Sequence, residues 1–300
     1  MFGLFKKKIT VVTHNGSFHA DDVFACATLI LWAEKENINL KIVRSRDDNI
    51  IKKADIVVDV GDIYDPMKNR FDHHQRGGAG EHDNGIPYAS FGLVWKKYGE
   101  QICNQEIAKT IENKLVLPID AIDNGINVSK NLREDVKVYS VAREMIYPLR
   151  FSPDGKGFEH FIEIAKIILK SEINMAKEIM EQQKKVEEEI TNQLEPEIFI
   201  LNEDIYWDEA VTHYKKIKMV IYPEPDTNLW CAEATKDNLL DYGSNRAAFP
   251  ESWRGLRDQA LIKISGNSEA VFCHRAGFFA VAMSKEGAIE MARKALGMVS

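Results

Sequence analysis

No stretch of this chain approaches the eighteen or more consecutive apolar residues that a membrane-spanning helix needs. The longest candidate, Val23 to Ala33, is interrupted by Cys26 and Thr28, so a soluble protein without a membrane partner is expected. A secretory leader is lacking as well. Met-Phe-Gly-Leu-Phe precedes Lys6, Lys7 and Lys8, whereas an export signal places its basic residues first and a longer apolar stretch after them. The expected compartment is the reducing cytoplasm. Cysteine is scarce: Cys26, Cys103, Cys231 and Cys273 are scattered with no C-x-x-C pair, which argues against a thiolate zinc site and makes them small buried fillers. Basic charge is also short. A net charge of −7 argues against a protein that coats duplex DNA through many phosphate contacts, and leaves room only for a local phosphate site.

What is present is ordinary globular material, 45% hydrophobic and 28% charged over 300 residues, which suits about two domains. Lys8 to His14 (KITVVTH) is β-branched and apolar, and Ala20 to Glu36 has the apolar positions of a packed helix, so strand, loop and helix follow one another. Leu40 to Arg44 and Asp55 to Asp59 are short apolar runs ending in polar residues, as buried parallel strands are when helices cover both faces. In such sheets the ligand site lies beyond the carboxyl ends of the strands, where His14 and Asp59 fall. From Phe158 to Gln193 there is neither Pro nor Gly, and apolar residues recur at helical spacing, predicting one long helix whose charged last third ends before Pro196. Beyond it, strand-like runs at Ile198 to Leu201, Lys218 to Tyr222, Trp230 to Ala234, Ala270 to His274 and Phe278 to Met283 precede a helix from Lys285 to Leu296. The expected fold class is α/β: a parallel-sheet catalytic domain over 1–157, a connecting helix over 158–194, and a smaller α+β substrate-binding domain over 195–300.

Three segments concentrate His and Asp: His14-Asn-Gly-Ser-Phe-His19-Ala-Asp21-Asp22, Asp59-Val-Gly-Asp62, and Asp72-His73-His74. Each adjoins a predicted strand, so a parallel sheet brings all three to one edge. Taken singly, each has a plain reading, with Asp21 or Asp22 capping a helix and Asp62 forming a turn. Taken together they point to metal, since three adjacent acidic and imidazole residues serve no packing purpose behind the short run Asn69 to Phe71. Imidazole and carboxylate without thiolate suit Mn²⁺, with Mg²⁺, Co²⁺ and Fe²⁺ suited less well to several nitrogen ligands. Two such ions about 3.5 to 4 Å apart activate water and neutralise charge on a phosphoryl centre. In the apolar stretch Leu115 to Ile126, Asp120 reads as part of a Pro-Ile-Asp turn, and Asp123 precedes an Asn-Gly that can present it.

Toward the C-terminus, Tyr242 to Arg275 holds five Lys/Arg against three Asp/Glu, a basic excess in an acidic chain. Arg246, Arg254 and Arg257 cluster there, and Ser265-Gly266-Asn267 and His274-Arg275-Ala276-Gly277 set small residues beside polar or basic ones. Gly admits backbone N–H groups close to phosphate oxygens, and Arg offers a planar bidentate donor, so this stretch fits an anionic substrate. Ser265 to Asn267 reads equally well as a turn, and Trp253 is divided between stacking on a base and packing in a core.

A His/Asp motif after the first strand, an Asp after a later strand, Asp-His-His and a further Asp, in that order, resemble the DHH phosphoesterase superfamily. That superfamily includes RecJ-type nucleases, oligoribonucleases and family II pyrophosphatases. The segments THNGSFHADD, DVGDIYDP, FDHHQRG, IDAIDNG, SNRAAFPESWRGLRDQAL and SGNSEAVFCHRAGFFAVA are similar to the Myg exonuclease family (melanocyte proliferating gene one), over nearly the whole chain and least from Leu132 to Asp204. The resemblance implies a DHH-type first domain in which His14, His19 and Asp21 form the first metal motif, Asp59 bridges two ions, and His73 and Asp123 complete the ligands. It implies that Asp72 orients His73 and that His74 faces the phosphate, which with Asp59 makes them the catalytic set. The first motif departs from most DHH enzymes: it is one residue longer, and His19 stands where Asp is usual, which leaves Asp22 an alternative to its neighbours as ligand. In the second domain CHRAGF resembles a glycine-containing His motif that contacts substrate, so His274 and Arg275 are expected to bind it, together with Arg246, Arg254, Ser265, Gly266 and Gly277 of the basic, glycine-bearing stretch.

The implied activity is a metal-dependent phosphodiesterase, a 3′ to 5′ exonuclease on single-stranded RNA or short oligonucleotides using two Mn²⁺ ions. Two other readings share the motifs: a phosphoesterase for pyrophosphate, a nucleotide or a dinucleotide, and a non-catalytic nucleic-acid-binding protein stabilised by metal. A metal-dependent hydrolase of another bond has no H-E-x-x-H or triad motif to support it.

Overall fold

The computed structural model describes residues 7–130, 135–136, 138–191, 195–239, 241 and 243–298. Two compact units divide the chain, Met1–Lys177 and Glu178–Ser300. The β-branched opening run forms β1 (Lys8–Thr13), followed by α1 (Ala20–Lys35), β2 (Asn39–Arg44), α2 (Asp48–Lys53) and β3 (Ile56–Val58). β1 pairs in parallel with β2 on one side and β3 on the other. Then β4 (Tyr64–Asp65) turns back into β5 (Arg70–Phe71), which is parallel to β3, and the order is β2-β1-β3-β5-β4. The chain leaves β1 toward β2 and returns on the far side as β3, so a switch-point crevice opens at the carboxyl ends of β1 and β3.

Every residue of α1 from Ala20 to Leu29 is buried, because this helix is enclosed on all sides rather than amphipathic. It packs on the sheet and against α3 (Ser90–Ile102). The next helix, α4 (Gln105–Ile111), runs through a π-helical turn at Glu112–Val116 into α5 (Leu117–Asp123), which also meets α1. On the other sheet face Val12, Val57 and Val60 pack with Ala54 and Ile51, so both faces are covered. A second π-helical turn, Val141–Met145, leads to α6 (Ile146–Arg150) and then α7 (Gly157–Thr191). Phe158 and Phe161 of α7 pack on Phe18, and Phe161 meets Phe24 edge-on.

The division between units falls inside α7, whose Val186 and Ile190 belong to the second unit's cluster with Phe199, Leu201 and Val220. Positions 192–194, where the sequence placed the end of this helix, lie outside the described residues, as does 242, where the basic stretch was taken to begin. The second unit contains β6 (Ile198–Ile200), α8 (Asp208–Thr212), β7 (Met219–Pro223), β8 (Trp230–Ala234), α9 (Asp258–Ser265), β9 (Ala270–Cys273), β10 (Phe279–Ala282) and α10 (Lys285–Ala295). Its sheet, β6-β7-β8-β10-β9, has one parallel pair, β6 with β7, and is otherwise antiparallel. Trp253 is buried and stacks on Phe249, which makes it core rather than a platform for a base. Among the described residues no helix is long and apolar enough to cross a membrane.

Candidate metal centre

His14 follows β1, Asp59 follows β3, and Asp72 follows β5, so three neighbouring parallel strands deliver their polar ends to one place. His14 is buried, and its Nδ1–H donates to the Asn15 carbonyl at 3.0 Å. A carbonyl only accepts, so the other nitrogen, Nε2, is the one turned to Asp22 at 3.1 Å and Asp59 at 3.2 Å. Asp59 takes a left-handed backbone, φ 54°, tied to β5 by its N–H donating to the Phe71 carbonyl at 3.0 Å. The turn centres its carboxylate: Oδ1 lies 3.4 Å from His73 Nε2 and 3.5 Å from His74 Nδ1, and accepts the Ser90 hydroxyl at 2.9 Å. His73 Nε2 is also 3.3 Å from Asp123, the last residue of α5, and 3.9 Å from Asp21 in the first turn of α1. His19 sits at the N-cap of α1, its ring 6.0 Å from that of His14.

All six residues expected as ligands therefore converge. Donor atoms lie within 4.8 Å of one another in three overlapping groups: His14, His19 and Asp59; Asp59, His73 and His74; and His19, Asp21 and Asp123. Asp22 is both a cap and a contact, accepting the His19 N–H at 2.9 Å while facing His14. Asp120, one turn before Asp123, is turned away: it accepts the Gly92 N–H at 3.0 Å and pairs with the buried His82 at 2.9 Å. A Cβ on Gly92 would stand 1.9 Å from the Asp120 carboxylate, so this close approach of α3 and α5 needs glycine.

One expectation is corrected. Asp72 does not hold His73; its Oδ1 accepts both the backbone N–H of His74 at 3.1 Å and the His74 Nδ1–H at 2.8 Å, while Oδ2 accepts the Asp62 N–H at 2.7 Å. An Asp side chain reaches the backbone two residues on with little strain, and this local turn folds the His74 ring over it while His73 points into the cluster.

Burial raises Asp21 well above the ordinary carboxylate range, reinforced by the negative charges of Asp59 and Asp123. Burial raises Asp22 too, against the opposing pull of His14. For His14 burial works downward, yet hydrogen bonds to Asp22 and Asp59 overcome it and raise the imidazole to about 10. Asp59, which burial alone would raise, is held far below its ordinary value by His14 and His73. Neither oxygen of the fully buried Asp21 carboxylate has a hydrogen-bond partner, and neither does His73 Nε2. Buried polar groups are ordinarily paired, and an excess of buried carboxylate calls for a cation. The donor set is imidazole and carboxylate with no thiolate, so these residues fit a Mn²⁺-type ion.

The cluster opens onto a cavity of about 780 Å³ lined by His19, Asp59, His74, Asp123, Arg143 and Tyr147 among others, and onto a second of about 310 Å³ that includes Arg46 and Asp62. Ser90, Arg143 and Tyr147 were not singled out from the sequence. Ser90 opens an amphipathic helix ahead of the apolar run Phe91 to Trp95, and nothing in its own segment ties it to Asp59.

The second unit treats its expected substrate residues unequally. The Arg246 guanidinium is turned inward, donating to the carbonyls of Val211, Thr212, Tyr214 and Ile217 and to Asp237, so it closes the end of α8 rather than presenting a free fork. Ser265 and Gly266 end α9: Gly266 is the left-handed cap, φ 64°, and the Ser265 hydroxyl accepts the Asn267 N–H. These three positions are corrected to structural roles, because backbone groups nearby already use their polar atoms. His274, Arg275 and Gly277 form the turn between β9 and β10, with the Gly277 N–H donating to the His274 carbonyl at 2.8 Å. Gly277 has φ 75°, and a Cβ there would meet Arg254 Nε at 2.4 Å, so Arg254 lies against this turn. Arg254 and Arg275 are exposed.

An open α/β sheet with imidazoles and carboxylates gathered at its switch point defines a metal-binding protein of the doubly covered α/β class. Within that class, a family model named for MYG1 exonuclease and described as an uncharacterised protein family (UPF0160) matches residues 10–296, and the chain belongs to that family. It is 31% identical over 324 residues to the MYG1 protein of Dictyostelium discoideum, covering 96% of each chain. It is 30% identical over 329 residues to the MYG1 exonuclease of Homo sapiens, covering 96% of this chain and 86% of that one. Among solved structures, RecJ in complex with Mn²⁺ from Thermus thermophilus shares 10% identity at a TM-score of 0.31; the match covers 96% of this chain and 52% of that one, about half its length.

Proposed function

We propose that this chain is a metal-dependent 3′ to 5′ exonuclease acting on single-stranded RNA or short oligonucleotides through two Mn²⁺ ions. The observation that carries this reading is the buried carboxylate of Asp21, without a hydrogen-bond partner, beside Asp59, His73 and Asp123, of which Asp59 and Asp123 line a cavity large enough for a nucleotide. The name of the human relative, MYG1 exonuclease, supports the exonuclease part of this reading.

In this reading His14, His19, Asp21, Asp59, His73 and Asp123 would hold the ions. Bound there, the ions supply a water made acidic enough to ionise near neutral pH and neutralise charge developing on the phosphoryl group. The chain's own residues do the positioning. The Asn15 carbonyl fixes the His14 tautomer, and Ser90 and the Phe71 carbonyl hold Asp59 in its left-handed turn. His74 is anchored by Asp72 through Nδ1–H, is 56% exposed, and is left to receive a phosphate oxygen. Within the second unit, Arg254, His274 and Arg275 are the candidate phosphate-binding groups, and Gly277, whose N–H donates to the His274 carbonyl, shapes the turn that carries two of them.

The cavity volume also suits a phosphoesterase confined to a dinucleotide, a nucleotide or pyrophosphate, and substrate length separates the two. Bound metal is measured on the purified protein, and cleavage of 5′-labelled RNA, DNA and dinucleotides is followed with Mn²⁺ or Mg²⁺. A ladder shortening from the 3′ end of RNA with Mn²⁺ is expected. Cleavage restricted to the shortest substrates establishes the second reading, and no hydrolysis with no bound metal removes both.

A further inference from the structure

Resting on the reading of the metal centre as a phosphodiesterase, we propose that residues 142–150 form a nucleobase subsite in which Tyr147 is the platform for the base of the terminal nucleotide. The cavity lining is of two chemical kinds: His19, Asp59, His74 and Asp123 belong to the metal centre, whereas Tyr147, Ile119, Ile122, Ile146 and Pro148 are aromatic or apolar. A nucleotide has the two matching parts, an anionic phosphate and a flat π-face.

Tyr147 is exposed over 63% of its surface, yet its ring is backed. The Arg150 guanidinium lies 5.3 Å from the ring centroid, and Arg150 is itself tethered by Nε and Nη2 to the Phe18 carbonyl at 2.9 and 2.5 Å. Phe18 immediately precedes His19 and is wedged on Phe158 and Phe161. The platform is therefore anchored to the same loop that carries His14 and His19, which fixes its distance from the metal centre before any ligand arrives. A ring held by a cation on one side and open on the other is arranged for stacking, and pre-organisation lowers the entropy cost of binding. The carboxylate of this wall, Glu144, is turned to Ser140, accepting its N–H and its hydroxyl at 2.8 Å each. Arg143 adds a positive charge to the same wall.

The test compares an RNA oligonucleotide with the same oligonucleotide bearing an abasic sugar as its terminal residue, at either end in turn, with Mn²⁺. Stacking on an aromatic side chain predicts that the intact substrate exceeds the abasic one in kcat/KM by roughly ten-fold or more. Tyr147→Ala is expected to bring that ratio toward one and Tyr147→Phe to retain it, because the platform needs the ring and not the hydroxyl. A wild-type ratio near one, or a ratio unchanged in Tyr147→Ala, overturns the subsite. A second arm separates this from failure of the exonuclease reading: calorimetric binding of adenosine 5′-monophosphate and ribose 5-phosphate to wild type and Tyr147→Ala with Mn²⁺. If no oligonucleotide is cleaved but adenosine 5′-monophosphate binds more tightly than ribose 5-phosphate only when Tyr147 is present, the subsite stands and the exonuclease reading falls. Equal binding of the two ligands to wild type removes the subsite whatever the hydrolysis result.

Discussion

Arg246 and Asp21 are both charged side chains withdrawn from water, and the fold answers one and leaves the other unanswered. Around Arg246 the second unit sets Asp237 and the carbonyls of Val211, Thr212, Tyr214 and Ile217. Around Asp21, among the described residues, no donor comes within hydrogen-bond reach, His73 Nε2 standing 3.9 Å away, and two more carboxylates, Asp59 and Asp123, lie close enough to repel it. A buried charge without a partner costs several kcal/mol. A carboxyl held buried without a donor at the carboxyl edge of the sheet fits a bound cation as its partner, whereas a charge satisfied by its own backbone is part of the scaffold. Partner satisfaction, more than residue type, separates site from scaffold in these two units.

The largest expected effect falls on the shared carboxylate. Asp59→Asn should lower hydrolysis by about a thousand-fold or more while circular dichroism stays that of wild type, because in the proposed two-ion reading the amide cannot supply the charge the ions need. Turnover within ten-fold of wild type would break the contrast at its centre.

The unanswered charges also predict how the metal-free protein responds to pH. His14 is raised in the folded protein from 6.5 to about 10, so its proton stabilises the fold fully below 6.5, and that contribution is lost as the pH rises through the folded value. Asp21, raised as well, has the same sign: its penalty is absent below the ordinary carboxylate value and grows as the pH climbs toward the raised one. The Tm of the metal-free protein should therefore fall between pH 6.5 and 10, by an amount on the order of a few kcal/mol in stability. Mn²⁺ should protect more at high pH, since a ligating His14 must be neutral. A metal-free Tm that is flat or rising across that range would show that His14 is not held as described.

In the second unit the contrast is between two arginines. Arg246→Ala should destabilise by about 2 to 4 kcal/mol in chemical denaturation, since five hydrogen bonds from a buried guanidinium are lost, and should leave the KM for oligonucleotides unchanged where the protein is folded. Arg275→Ala should do the reverse, with stability within about 0.5 kcal/mol of wild type and KM raised roughly ten-fold. An unaltered KM in Arg275→Ala would sharpen the picture by confining substrate recognition to the first unit.

Much of this organisation was legible in the residues. β1, β2, β3, α1, α7 and the five strands of the second unit lie where apolar runs and helical spacing put them, and the His/Asp segments behind β1, β3 and β5 do converge. Between Ser90 and Arg150 only the apolar stretch Leu115 to Ile126, with Asp120 and Asp123, was singled out, and no helix was read there. The helices of this region are mostly short, and a π-helical turn shifts the period between α4 and α5, so no single spacing runs through it. Asp120 and Asp123 share one motif, and only packing against Gly92 and His82 on one side and His73 on the other tells them apart.

The sequence by itself determined which chemistry is available and roughly where: imidazoles and carboxylates directly after strands of a parallel sheet, without thiolate, and basic residues with glycines in the last third. The tertiary structure alone decided which of those groups are already satisfied. A hydrogen bond joins residues distant in the chain, as Ser90 joins Asp59 and Arg246 joins Val211, and burial depends on what the rest of the fold lays over a residue. Local sequence encodes neither, so Asp72 paired with His74 instead of His73, Arg246 closed a helix end, and Asp21 was left buried and unpaired at the centre of the site.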